Sequence, residues 1–305
     1  MPRKFGLTLS TSTFLYVMPG ELVDLGYAKQ MGGDLRKFDS GQNSAMAGFM
    51  RDVLNAVSGS DVEALECYHS LAYEHEPLLE ILLDRPPVEY WSVHGPFGRN
   101  MDISSPDSTA RRTGIDALVD AGKMAAALGA GLVVCHPGIT AVSGPAARET
   151  GIRHSTESLR EVADRLGKMG LVAAVEPLPR GEIGNSLDDV LRIVDAIDLP
   201  NVGINFDVNH LYPPEAVPGL IRRALGRIVS VHISDQDGIE RHWLPFDGKL
   251  DWAEVLRALD DADYTGPLVY ETHIKTAKNC GEVVSTVCEN YRRLAGLVGA
   301  SARSV

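Results

Sequence analysis

Six short apolar runs end in a residue that can hold a cation or move a proton. SVH ends in His94, VVCH in His136, AAVE in Glu176, GINFD in Asp207, SVH again in His232, and LVYE in Glu271. Two neighbouring segments add to them. FDVNH places His210 three residues after Asp207, so one turn aims both at one point. ERH places Glu240 and His242 two apart, and an extended loop sends both side chains the same way. Taken singly, a strand-end histidine is usually a hydrogen-bonded turn residue, and a strand-end Asp or Glu is often a helix cap. Six in succession are not a coincidence. Carboxylates converging in a buried mouth repel one another unless they are protonated or neutralised by a cation. A divalent metal supplies that cation, and imidazole beside carboxylate suits zinc, manganese, iron or cobalt better than calcium.

Those residues converge only if the chain brings the ends of its apolar runs together. Eight runs read as strands, near 4–10, 62–67, 89–94, 131–136, 171–176, 202–207, 228–232 and 267–271. Helical patterns lie between them, near 107–129, 155–169, 186–198, 215–225, 251–261 and 279–299, with a long loop over 26–44 leading to a helix near 45–57. Gly129 is placed as a C-terminal cap, and Ser155 or Thr156, Ser186 and Asp251 as N-terminal caps. Regular strand–helix alternation argues for a parallel sheet. Eight repeats fit a closed (β/α)8 TIM barrel of the α/β class, whose active site sits at the C-terminal ends of the strands. The rival open sheet would carry a GxGxxG after its first strand, and none is present. No linker divides the chain, so residues 1–305 read as one domain with a core over about 4–295.

Composition narrows the classes. The 305 residues carry 29 Lys plus Arg against 41 Asp plus Glu, a net charge of −12. Nucleic-acid backbones and anionic membranes both attract basic surfaces, so neither partner is expected. No run approaches the roughly 18 apolar residues of a membrane helix. Cys67, Cys135, Cys280 and Cys288 form no CxxC pair and read as free thiols of a reducing compartment, which points to the cytoplasm. Alternation turns Cys135 outward from His136, into the interface between barrel and helices.

Other residues are placed by position. His69 and His273 fall just past the second and eighth strands, within reach of a substrate, while His75 and His154 read as solvated. Asp235 and Asp237 read as turn residues. Trp91, Phe97, Trp243 and Phe246 are candidates for an apolar wall, and Arg99, Arg180 and Arg241 for a phosphate group. The long loops 26–44 and 137–154 lie where specificity would be set.

SVHGPF, VCHPG, VEPL, FDVNH, VHISDQDG with ERH and GKLDW, and VYET together resemble the xylose isomerase-like TIM barrels, over about residues 4–295. That superfamily includes sugar and sugar-phosphate isomerases and epimerases, dehydratases, and apurinic-site endonucleases of the endonuclease IV type. The resemblance implies one divalent ion (Mn, Zn, Co or Mg) held by Glu176, Asp207, His232 and Glu271. In the endonuclease branch up to three ions would use His94, His136, His210, Glu240 and His242 as well. Glu240 stands where that branch has an aspartate, and the branch's glycine-rich element after the first strand is replaced by STSTFLYVMPG. The resemblance therefore implies first an isomerase or epimerase of a small sugar-like compound. It would work through a metal-stabilised enediolate, with Glu176 and Glu271 as paired acid and base and Glu66 and Trp243 on the substrate. A zinc-cluster phosphoesterase is the alternative, and a dehydratase or lyase on the same site the second. Barrels of this kind often form homo-oligomers.

Overall fold

The period-two runs build a closed parallel barrel, and its inward faces carry the chemistry. The computed structural model describes residues 5–84, 88–139, 144–179 and 181–301. Strands β1 (Leu7–Ser10), β2 (Ala64–Tyr68), β3 (Glu89–His94), β4 (Leu132–Cys135), β5 (Val172–Val175), β6 (Val202–Asp207), β7 (Ile228–Ile233) and β8 (Leu268–Tyr270) pair in chain order, and β8 closes on β1. Around them run α1 (Ser40–Val57), α2 (His75–Leu83), α3 (Ser108–Leu128), α4 (Pro145–Gly167), α5 (Leu187–Ile197), α6 (Val217–Arg223), α7 (Trp252–Asp261) and α8 (Cys280–Ser301). This is the (β/α)8 fold the alternation predicts. Gly129 ends α3 in the left-handed region at φ 74°, and the Ser186 and Asp251 side chains accept from the backbone N–H groups of Asp189 and Glu254.

Alternation divides the strands between two cores. On β4 and β5 the outward Val133, Cys135, Ala173 and Val175 join the large core between barrel and helices. The inward Leu132, Val134 and Ala174 form a smaller cluster inside the barrel, with Trp91, Val172 and Val229 packed on it. The next inward positions above that cluster are His136 and Glu176.

Two β-bulges set the register of the inward residues. On β3, Tyr90 pairs with Leu65 but Ser92 pairs with Glu66, so Trp91 is the extra residue. On β7, Ile228 pairs with Ile204 but Ser230 pairs with Asn205, so Val229 is extra. A bulge re-aims the side chains that follow it. Trp91 Nε1 donates to Ser230 Oγ at 3.2 Å, tying the two bulges together.

Three expectations about connections are corrected. The helix expected from 155 begins at Pro145, after Gly144 at φ 86°. Ser155 and Thr156 do not cap it; both are buried in its middle, and Thr156 Oγ1 donates to the Ile152 carbonyl one turn back. The expected loop over 26–44 is largely helical: Gly20–Met31 forms short helical turns, and α1 starts at Ser40. Asp39 and Gln42 close a capping box there. Helix α2 had no counterpart in the sequence reading. Of the loop 137–154, residues 140–143 lie outside the described residues.

Asp235 is not a turn residue but the centre of the β7–α7 loop. Its buried carboxylate accepts from the backbone of Gln236 (2.8 Å), Phe246 (2.8 Å) and Leu250 (3.1 Å) and from Trp252 Nε1 (2.8 Å). Asn209 Oδ1 adds bonds from the Arg241 and His242 N–H groups at 3.0 and 3.2 Å. These contacts hold His242 in the left-handed region at φ 51°, a strained place for a histidine. Replacing Asp235 by Ala leaves all four donors without their acceptor. The expected loss is about 3–5 kcal/mol of stability, read from the urea midpoint at unchanged m-value. A loss below about 1 kcal/mol would deny Asp235 this role.

Candidate metal centre

The six strand-end residues meet at the C-terminal mouth of the barrel, joined by three residues from the loops. They form three donor groups: Glu176, Asp207, His232 and Glu271; His94, His136 and Glu176; and His210, Glu240 and His242. Within each group the donor atoms lie within 4.8 Å of one another, and Glu176 belongs to two.

Most of these side chains follow one pattern: one polar atom is fixed by the protein and the other faces its group. Glu176 accepts from Asn205 Nδ2 through Oε2 at 2.9 Å, and its Oε1 has no hydrogen-bond partner. Asp207 accepts from the Asn209 N–H through Oδ1, and its Oδ2 has none. Glu271 accepts from Ser12 Oγ through Oε1 at 3.2 Å, and its Oε2 lies 3.1 Å from His232 Nδ1. The histidines repeat this. Nδ1–H of His94, His210 and His242 donates to the carbonyls of Gly95, Pro177 and Glu271, at 2.9, 2.9 and 3.0 Å, leaving Nε2 to its group. His232 is reversed: Nε2 is held by Glu66 at 3.1 Å, and Nδ1 faces Glu176 at 3.4 Å. Glu66 is fully buried and also accepts from Ser92 Oγ at 2.7 Å. A carboxylate behind a ligand histidine fixes its tautomer and raises its basicity.

Buried polar atoms without partners are costly. Here Glu176 Oε1, Asp207 Oδ2, His136 Nδ1 and His232 Nδ1 are all in that state. The donor set, oxygen and imidazole nitrogen, fits a divalent transition metal. Electrostatics agree. Burial opposes the charge on His232, but Glu66, Glu271 and Glu176 outweigh it and hold its pKa well above the usual imidazole value. Burial, helped by the charges of Glu176 and Glu271 and opposed by His210, pushes Asp207 up to about 6. Burial takes His136 down to about 3, so its ring is neutral, the form that binds a cation.

Above these groups opens a cavity of about 1310 Å³, its mouth included. Phe97 stacks on His136 with ring centroids 4.1 Å apart, and Tyr27 meets Phe97 and Tyr68 edge to face. His273 lines the cavity, tilted on His242 at 4.6 Å.

Several other placements differ from expectation. Glu66 does not reach the cavity; its carboxylate is taken up by His232 and Ser92. Trp243 pairs with Asp235 in an antiparallel bridge, which turns it away from the cavity to pack under Arg241. Trp91 is inside the barrel and Phe246 lies against Trp252, so Phe97 alone of the expected wall lines the cavity. His69 is buried and stacked on His75 at 4.1 Å, away from the cavity. That packing leaves His75 half-buried rather than solvated, and His154 is half-buried too. Arg241 is paired with Asp237 and Arg99 is exposed, and neither lines the cavity; Arg180 lies outside the described residues. The sequence reading missed Ser12, Tyr27, Tyr68 and Glu182. Tyr68 closes β2 and obeys the strand-end rule, but Glu182 sits in an aperiodic loop with no such signal. Burial raises Glu182 to about 7.

A closed eight-stranded parallel barrel with clustered His and carboxylate donors at its C-terminal mouth defines a TIM barrel with a candidate metal site. The chain belongs to the family of xylose isomerase-like TIM barrels, whose model matches residues 59–287. It is 28% identical over 229 residues to the uncharacterised protein MJ1311 of Methanocaldococcus jannaschii, spanning 72% of this chain and 77% of that one. It is 29% identical over 133 residues to a D-psicose 3-epimerase of Enterocloster bolteae, spanning 43% of each. A probable endonuclease 4 of Bifidobacterium longum is 28% identical over 207 residues, 60% of this chain and 71% of its own. In fold, the chain matches a D-allulose 3-epimerase from Methylomonas sp. in complex with D-allulose. The TM-score is 0.69 at 16% identity, covering 96% of this chain and 98% of the other. Among the described residues, no helix is long and apolar enough to cross a membrane.

Two outcomes follow. Glu66→Gln should weaken divalent-metal binding about 10–100-fold, measured against a competing chelator; unchanged affinity would remove Glu66 from the site. Glu182, raised to about 7 when folded and near 4.5 when unfolded, holds its proton more tightly in the native state. The stability of the wild type relative to Glu182→Gln should therefore fall as pH rises from about 4.5 to about 7 and level off above. Parallel stability curves for the two proteins would deny the shift.

Proposed function

We propose that the chain is a metal-dependent isomerase or epimerase of a small sugar-like polyhydroxy carbonyl compound. The observation that carries this reading is the pair Glu176 and Glu271. Both carboxylates face His232 Nδ1 at the base of one cavity: Glu176 at 3.4 Å through the Oε2 that Asn205 holds, and Glu271 at 3.1 Å through Oε2 while Ser12 holds its Oε1. The epimerase names among its relatives and the sugar held by its structural neighbour support the substrate class.

The residues divide the work. Glu176, Asp207, His232 and Glu271 would hold one divalent ion. When bound, such an ion supplies Lewis-acid polarisation of a carbonyl and a neighbouring hydroxyl. One glutamate takes the proton from the carbon next to the carbonyl, leaving an enediolate. The other, or the same one, returns it, and the face of return decides the product. Tyr27, Phe97 and Tyr68 offer ring faces and edges to the sugar's C–H surface. Loss of a β-hydroxyl after the same deprotonation would make the enzyme a dehydratase.

A second reading has its own observation. The groups His94–His136–Glu176 and His210–Glu240–His242 could hold two further ions, and a phosphoesterase would use such a cluster to clamp attacking and leaving oxygens. Among the described residues no lysine or arginine lines the cavity, and the chain carries −12, which disfavours a nucleic-acid strand.

The test combines metal content with isotope exchange. Protein purified without chelators should carry divalent metal, and product formed from a ketose panel in D2O should carry deuterium at the carbon next to the carbonyl. Glu271→Gln should cut turnover by about 10²–10⁴-fold with the circular-dichroism spectrum intact. Full activity in that variant would sink the role of Glu271. Product without exchange would replace proton transfer with a hydride shift. Cleavage of an abasic-site oligonucleotide alongside inertness to every sugar would select the second reading.

A further inference from the structure

The cavity is not lined like a site for a bare sugar. Its base is polar, but on one side it runs into an apolar arm formed by the segment after β1 and by α1. Leu15, Met18, Leu22, Met31, Met46 and Met50 line that arm. With Met124, five of the chain's eight methionines lie on this one cavity. Methionine is flexible and polarisable, and methionine-rich surfaces adapt to apolar groups of varied shape. Met31, on this wall, stays exposed at the surface, as do Tyr16 and Leu35 of the same β1–α1 connection. Polyhydroxy groups find no partners along such a wall, and leaving them there costs their hydration. Anionic groups fare worse, because among the described residues neither lysine nor arginine lines the cavity, while Glu176, Glu182, Glu240 and Glu271 do.

Resting on the metal-site reading above, we propose that the natural substrate is a polyhydroxy carbonyl head bearing an uncharged alkyl or aryl arm, with the head on the donor groups and the arm against Met18, Met31 and Met46. The arm then supplies binding that does not depend on the sugar's hydroxyls. The segment Leu15–Met31 is a specificity element rather than a passive cover.

Hydroxamic acids test this without turnover. Their two oxygens chelate a divalent ion as a carbonyl and hydroxyl would, and their alkyl tails vary in single methylenes. Titration calorimetry of the Mn-loaded protein compares acetohydroxamate with its butano-, hexano- and octano- homologues. The expected result is a dissociation constant that falls by about two- to fourfold per added methylene, with the gain lost when the octano- tail ends in a carboxylate. Met18→Glu, in a loop, and Met46→Gln, on α1, should flatten the series while leaving acetohydroxamate affinity unchanged. A flat series in the wild type, with acetohydroxamate binding normally, overturns the arm and leaves the metal reading standing. Failure of acetohydroxamate itself to bind overturns the metal reading and the arm with it.

Discussion

Everything at the mouth of this barrel depends on keeping several carboxylates together out of water. Glu66, Glu176 and Asp207 are almost wholly buried, with Glu271 and Glu240 beside them. Their mutual repulsion in a low-dielectric site would disperse them or force protonation. The fold answers by interleaving imidazoles and by fixing one atom of most donor side chains. Asn205, the Asn209 backbone, Ser12 and Glu66 each hold a partner from behind. The free atoms are thereby fixed in position before any cation arrives. Such preorganisation is what a metal site stiff enough to select geometry would require.

The barrel supports this arrangement through register. The bulges at Trp91 and Val229 set which side chains of β3 and β7 turn inward, and the first aligns Ser92 with Glu66. The β7–α7 loop has little regular structure, yet it contributes Glu240 and His242. It is ordered by the buried Asp235 carboxylate and by Asn209 instead. The positive φ of His242 is tolerated because its ring and its backbone are each pinned by a separate bond.

Much of this was legible in the sequence because it follows period two. Strand-end residues from His94 to Glu271 share a face with the residues two before them (apolar Val134, Ala174 and Val269, polar Ser92, Asn205 and Ser230), so a barrel had to gather them. What was not legible depends on distance in space. The hydroxyl of Thr156 satisfies itself within α4, which disguises a helix interior as a cap. Asp235 looks like a turn residue until the loop folds back to offer it four donors. Trp243 was placed on the substrate by its position after His242, but its bridge with Asp235 rotates it away. Glu182 and the methionines of the β1–α1 connection lie in stretches without a period, and only the closed barrel shows that they face the same cavity as His210.

The indole of Trp91 closes the barrel axis below the donor groups, wedged among Leu132, Val134 and Val229 and tied to Ser230. The site is thus blind-ended. Among the described residues, Met31 both lines the cavity and stays exposed at the surface. A molecule seated there is approached from the C-terminal mouth rather than from below, so the loops that follow the strands decide what reaches the donor groups.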